Sequence, residues 1–197
     1  ICSPNKPTGN LIEGIGEIIE KFNGIVVVDE AYIDFSPEFS KAEAIKSYNN
    51  LIVSQTLSKA WGLAGVRVGF AFAQSEIIAL LNKIKPPYNI STLNQQQAIA
   101  RLSQPESFEA ERDEVLSERS RLEEQLLLLP MVQKIYPSSA NFLLVEVSDA
   151  NNVYDTLVSK RVIVRNRDTV IKNCIRITIG TKEENDTLLT ELKKISK

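Results

Sequence analysis

Lys59 stands in the stretch Ser58-Lys59-Ala60-Trp61-Gly62-Leu63-Ala64-Gly65-Val66-Arg67, with an arginine eight residues on and small residues between. A lysine amine forms imines with carbonyl cofactors, and desolvation or a neighbouring cation lowers its pKa for that task. A guanidinium at that distance can hold the same cofactor's phosphate, and arginine does so bidentately. Two upstream stretches carry matching chemistry: Ser3-Pro4-Asn5-Lys6-Pro7-Thr8-Gly9 and Val28-Asp29-Glu30-Ala31-Tyr32. A carboxylate such as Asp29 can pair with a protonated pyridine nitrogen and keep the ring electron-poor. Thr56 and Ser58 add hydroxyls suited to phosphate oxygens, and Gly62 and Gly65 permit close backbone approach.

Each residue also has a plainer reading. A single lysine is usually an exposed loop residue, and here it is the surrounding motif that argues otherwise. Asp29 by itself could be a helix cap or a solvated turn acid. Asn5 by itself is a turn residue, because Pro-Asn-Lys-Pro is strong turn chemistry. Arg67 could make a surface salt bridge, although it lies just before the apolar run 68–72. Arg176 sits mid-run in Cys174-Ile175-Arg176-Ile177-Thr178-Ile179, where an unpaired guanidinium is costly. Its alternatives are a structural ion pair or an anionic ligand.

Composition narrows the classes. Apolar residues make up 43% of the 197, enough for a substantial core, and the net charge of −2 gives no electrostatic reason to expect nucleic acid. Histidine is absent, which removes Ser-His-Asp and Cys-His systems and most zinc sites. No metal site is expected. Cys2 and Cys174 are far apart and lack metal spacing, which fits a reducing compartment. No apolar run approaches the roughly 20 residues that cross a bilayer. A soluble, cytoplasmic protein is expected, without membrane partners. The chain opens on Ile1 with its first motif at once, which reads as the C-terminal part of a longer protein.

Elements must position these groups. Apolar residues at helical spacing predict a helix over 11–22, stopped by Asn23-Gly24. The β-branched run 25–28 predicts a strand buried on both faces, with Asp29 at its C-terminal end. Further strands are expected at 51–55 and 66–73. Lys85-Pro86-Pro87-Tyr88-Asn89 is a break. Helices follow at 92–103 and, long and charged, at 106–129. Strands at 134–136, 141–147, 161–165 and 174–179, with helices at 151–160 and 182–196, make a small α+β domain. The fold class is therefore α/β: a partial large domain with a mainly parallel sheet over 1–104, a connecting helix over 105–130, and a small C-terminal domain over 131–197.

In order and spacing, the three motifs resemble the cofactor site of fold type I aminotransferases that use pyridoxal 5'-phosphate. The wording DEAYIDF and SKAWGLAGVRVGF is most similar to the histidinol-phosphate aminotransferases. That resemblance implies an enzyme exchanging an amino group between histidinol phosphate and 2-oxoglutarate, on a small-molecule substrate and as a homodimer. It makes Lys59 the cofactor-bearing lysine and proton carrier, and Asp29 the partner of the ring nitrogen. Asn5 and Tyr32 would reach the phenolic oxygen, and Thr56, Ser58 and Arg67 the phosphate. Arg176 would bind the substrate α-carboxylate, Arg165 its distal phosphate, and Tyr88 would line the pocket. Arg167 competes with Arg165, being two residues away on the same face. The resemblance covers essentially all 197 residues and places the family's N-terminal half before Ile1, with the ring-stacking aromatic and the phosphate-holding helix. Alternatives are an aromatic aminotransferase or a phosphothreonine decarboxylase of the same fold, or a non-catalytic fragment.

Overall fold

The computed structural model describes residues 1–195. They form two compact units, the first from Ile1–Asn5 and Leu11–Ala110, the second from Lys6–Asn10 and the chain from Glu111 onward.

In the first unit, helix α1 spans Ile15–Lys21 and strand β1 spans Val26–Asp29. The helix is shorter than the predicted 11–22. Gly14 takes a left-handed φ of 71° at its N-cap, a conformation that breaks the helical run and suits glycine. Ile15 and Ile19, one turn apart, pack with Val26, Val28, Leu51 and Val53. Burying each such side chain contributes roughly 1.5–3 kcal/mol. Strand β2, Leu51–Thr56, runs parallel to β1, with Asp29 opposite Ser54. On the other side of β1, Cys2 makes a parallel bridge to Asp29.

Two expectations need correction here. The sheet is mixed, because β3, Gly69–Phe72, is antiparallel to β2. The chain between them returns through a compact loop with a 3-10 turn over Ala64–Val66, without the helical crossover that a parallel return needs. The predicted strand 66–73 shortens for the same reason. Strand β1 is also not buried on both faces: Val26 and Val28 point into the core, while Val27 is 45% exposed. Helix α1 and the 3-10 turn at Ala42–Lys46 cover one face of the sheet only.

Helix α2, Ser75–Ile84, is an element that no predicted segment covers. It stops where Lys85 turns extended, as a residue before proline does. Helix α3 follows at Thr92–Leu102, with the Ser91 hydroxyl accepting from the Asn94 amide. The long helix α4 covers Pro105–Leu127, two residues short of the predicted end, and closes in turns before Pro130.

The second unit is a four-stranded antiparallel sheet in the order β4-β5-β7-β6. Its strands are Val132–Tyr136, Phe142–Val147, Arg165–Asn166 (β6) and Cys174–Thr178 (β7). Leu143, Val145, Ile175 and Ile177 face a core closed by Leu122 and Leu126 of α4, by α5 (Ala150–Ser159) and by α6 (Lys182–Ile195). Residue 196 of the predicted last helix lies outside the described residues. The predicted strand 161–165 contracts to its final residue plus one. Arg161 takes a left-handed φ of 62°, and Val162 donates back to the Leu157 carbonyl, so this stretch is still leaving α5.

Candidate functional site

The first unit gathers its candidates where β1 and β2 end. In open α/β sheets the carboxyl ends of parallel strands are where ligands bind. Asp29 closes β1, and its backbone is fastened to the Ile1–Ser3 segment, donating to the Ile1 carbonyl at 2.7 Å and accepting from the Ser3 amide at 3.0 Å. Its Oδ1 accepts from the Ala31 amide at 3.2 Å and from the Ser54 hydroxyl at 3.3 Å. The Cys2 thiol lies 3.9 Å from Oδ2. The carboxylate is therefore fixed in direction by its own strand and its two neighbours.

Tyr32 begins a 3-10 turn over Ile33–Phe35 and is buried. The Lys59 ammonium sits over its ring, 5.3 Å from the centroid. Thr56 ends β2, and its hydroxyl donates to Ser58 Oγ at 2.9 Å while accepting from the Ser58 amide at 3.1 Å. Lys59 follows in a loop closed by the Leu57 amide donating to the Val68 carbonyl and the Leu63 amide donating to the Leu57 carbonyl. Arg67 takes a left-handed φ of 53°. For a non-glycine residue this costs on the order of 1–3 kcal/mol, and such residues concentrate at functional sites. Two residues on, Gly69 faces Thr56, and a Cβ there would meet the Gln55 carbonyl oxygen at 2.9 Å. Only glycine lets the loop return this close to β2.

The loop is also pinned from outside. The Trp61 ring stacks on Phe108 with centroids 3.7 Å apart, and Arg101 Nε donates to the Trp61 carbonyl. Asn5 lies in the first unit beside the cis Ser3–Pro4 bond. Tyr88 is 94% exposed, so nothing in this unit builds a pocket around it.

Arg165 and Arg176 lie in the second unit as facing partners of the β6–β7 ladder. The Arg176 guanidinium stacks over the Phe142 ring at 5.0 Å. Arg167, just beyond β6, holds its amide to the Cys174 carbonyl.

Sequence reasoning passed over Glu30, Ser54 and Gln55 as working residues. The available signal was a polar pair ending one apolar strand beside an acidic pair ending the next.

The profile of the family "Aminotransferase class I and II" matches residues 1–192. This chain belongs to that family. A histidinol-phosphate aminotransferase of Flavobacterium psychrophilum is 47% identical over 200 residues, covering 99% of the chain and 57% of the relative. One of Parabacteroides distasonis is 50% identical over 199 residues, covering 99% and 58%. The crystal structure of histidinol-phosphate aminotransferase from Clostridium acetobutylicum superposes with a TM-score of 0.91 at 26% identity, over all of this chain and 63% of that one. The fold is that of the fold type I aminotransferases, in part. The chain spans somewhat over half the length of the relatives it matches.

Among the described residues, no group of three or more metal-ligating side chains forms a metal site, and no helix is long and apolar enough to cross a membrane.

Proposed function

We propose that the full-length protein is a pyridoxal-phosphate-dependent aminotransferase exchanging an amino group between histidinol phosphate and 2-oxoglutarate, a step of histidine biosynthesis. The observation that carries the reading is the cluster at the ends of β1 and β2, in a chain of the class I and II family: Asp29, Tyr32, Thr56, Ser58 and Lys59. The relatives' names support the substrate.

The donor set fits the family's cofactor. A ring nitrogen asks for a carboxylate, a phosphate for hydroxyls and a guanidinium, and an aldehyde for an amine. Asp29, Thr56 with Ser58 and Arg67, and Lys59 supply these from one unit. When bound, the cofactor supplies a carbonyl for the amino group and a ring that withdraws electrons from the reacting carbon.

The chain's own residues do the rest. Lys59 holds the cofactor and carries the proton at the substrate α-carbon, a task no histidine here can take. Asp29, held by Ser54 and the Ala31 amide, keeps the ring nitrogen protonated. Tyr32 and Asn5 donate to the phenolic oxygen. Thr56, Ser58 and Arg67 hold the phosphate. Arg176 orients the substrate carboxylate, Arg165 accepts its distal phosphate, and Tyr88 lines the pocket. The assembly is a homodimer, supported by the exposed apolar side chains Leu80, Ile84, Leu93 and Ile99 on α2 and α3. Two unpaired cysteines fit the reducing cytoplasm.

Incubating the full-length protein with 2-oxoglutarate and each donor tests the reading. Glutamate should form with histidinol phosphate and far more slowly with aromatic amino acids. Preference for an aromatic donor, or carbon dioxide release from phosphothreonine, would overturn the substrate.

A further inference from the structure

Glu30 is 1% exposed, and none of the chemistry above uses it. Its Oε2 accepts from the Ser40 hydroxyl at 2.7 Å and from Gln55 Nε2 at 2.9 Å, and its Oε1 from the Lys41 amide. All three donors are neutral. A carboxylate taken out of water is expensive unless hydrogen bonds replace the lost hydration, and here they come from three separate places in the chain. Its backbone is engaged as well. The Glu30 amide donates to the Ser54 carbonyl at 2.8 Å, and its carbonyl accepts from the Ile33 amide at 3.0 Å.

These contacts have a common geometry. The Ile33 bond closes the turn over Ala31 and Tyr32 that leads into the 3-10 turn at Ile33–Phe35. The Ser40 and Lys41 bonds close the far end of the same loop, past a second 3-10 turn at Pro37–Phe39. Gln55 ties the closed loop to β2, one residue from Thr56 and one from Ser54, the residue that holds Asp29. Tyr32 lies inside this closure, with Lys59 over its ring.

We propose that Glu30 is a positioning residue: by gathering Ser40, Lys41 and Gln55 around its carboxylate, it closes the 31–41 loop and fixes the Tyr32 hydroxyl toward the cofactor's phenolic oxygen. The inference rests on the role given to Tyr32 above. It also explains why an acid follows Asp29. The backbone bonds of the two short 3-10 turns each span only three residues, so one buried acceptor at the base joins the two ends of the loop.

The readout is the pH midpoint of the bound cofactor's near-visible absorbance in the full-length enzyme. A hydroxyl donating to the phenolic oxygen draws electron density from the atom that helps retain the neighbouring proton. Losing that hydrogen bond raises the midpoint. Tyr32→Phe should raise it by about half to one pH unit, the effect of one ordinary hydrogen bond. Glu30→Gln and the milder Ser40→Ala should raise it by part of that amount and make the 31–41 loop of the cofactor-free enzyme more sensitive to protease. Ser40→Ala in the Tyr32→Phe background should add no further shift, because its effect passes through Tyr32. Should Glu30→Gln fail to fold, Ser40→Ala decides alone. A shift with Tyr32→Phe but none with Ser40→Ala or Glu30→Gln overturns the positioning role. A further shift in the double variant also overturns it. No shift with Tyr32→Phe overturns the Tyr32 assignment itself.

Discussion

Arg165 and Arg176 are register partners across the antiparallel β6–β7 pair, so both guanidinium groups leave the same face of the sheet. Like charges directly opposite one another destabilise a ladder unless something anionic lies between or above them. Leu144 is the partner of Arg176 on the other side, and Phe142 packs beneath its guanidinium. Arg176 therefore stands on an apolar floor, with the exposed Arg165 beside it.

Arg165→Ala in the full-length enzyme should lower kcat/KM for histidinol phosphate by about 10- to 100-fold, the worth of one or two hydrogen bonds to a charged group. The loss for an unphosphorylated amino donor should be small. Arg176→Ala should lower both alike, because both donors carry the α-carboxylate. Steady-state kinetics with the two donors checks this, and equal losses for both donors in Arg165→Ala would refute its phosphate role.

Lys59→Ala should abolish transamination while leaving weak, non-covalent cofactor binding. The lysine lies over Tyr32 and next to the Thr56–Ser58 hydroxyl pair. Borohydride treatment of the loaded full-length enzyme, followed by peptide mass analysis, should find the cofactor's ring fixed on Lys59. A different labelled lysine would move the site.

Phe108→Ala should cost about 3 kcal/mol of stability, the usual toll for an aromatic side chain removed from a packed position. Phe108 is buried and stacked on Trp61, and Trp61 belongs to the loop that presents Lys59. Cofactor affinity should fall with stability. Denaturant titration beside cofactor titration checks both, and unchanged affinity would show that the loop holds itself.

The Glu118 carboxyl is held below the ordinary carboxylate range, first by its hydrogen bonds from Arg121 and also by one from Asn185 at 2.8 Å. Asp186 is lowered by Lys182 and Arg121, and Asp168 by the Asn173 amide and Lys172. A carboxyl whose folded pKa lies below its unfolded value contributes stability that is complete above the unfolded value. That stability is lost as pH falls through the folded one. The window thus opens near 4.5, the unfolded value for glutamate, and extends downward. Glu118→Gln should lower stability at neutral pH and flatten its decline below that point. Unfolding free energies between pH 3 and 7 would expose an unchanged slope, which the pairing does not allow.

Some of this was legible in the sequence because the chemistry is local. Ser58, Lys59 and Arg67 fall in one stretch, and Asp29 ends a β-branched run that folds as a strand. The second unit's strands and helices were legible from periodicity, because its core is built from β5, β7, α4, α5 and α6. What escaped depends on distant partners or on backbone conformation. The carboxylate of Glu30 finds Ser40 and Gln55, 10 and 25 residues away. The antiparallel return of β3 follows from a loop closed on itself, and the register of Arg165 from the left-handed turn at Arg161. Apolar pattern reports a face, and says little about which direction a strand runs.

The open face of the first unit's sheet carries the last expectation. Val27 projects from mid-strand on the side away from α1, and Ile25, two residues before it, is exposed too. Exposed apolar side chains on an uncovered sheet face suit an interaction surface and are an aggregation hazard. The relatives are nearly twice as long as the segment they share with this chain, which leaves them residues to cover such a face. Expressed by itself, the 197-residue chain should therefore form dimers or larger species, bind pyridoxal phosphate weakly and turn over little. The cofactor residues of the first unit supply a carboxylate, hydroxyls, an amine and a guanidinium, but neither aromatic candidate, Tyr32 or Tyr88, has the role of stacking on the ring. Light scattering and spectrophotometric titration measure the two halves of this expectation. A monodisperse monomer with micromolar cofactor affinity and measurable turnover would mean that the residues at the ends of β1 and β2 suffice, and that the open face needs no cover.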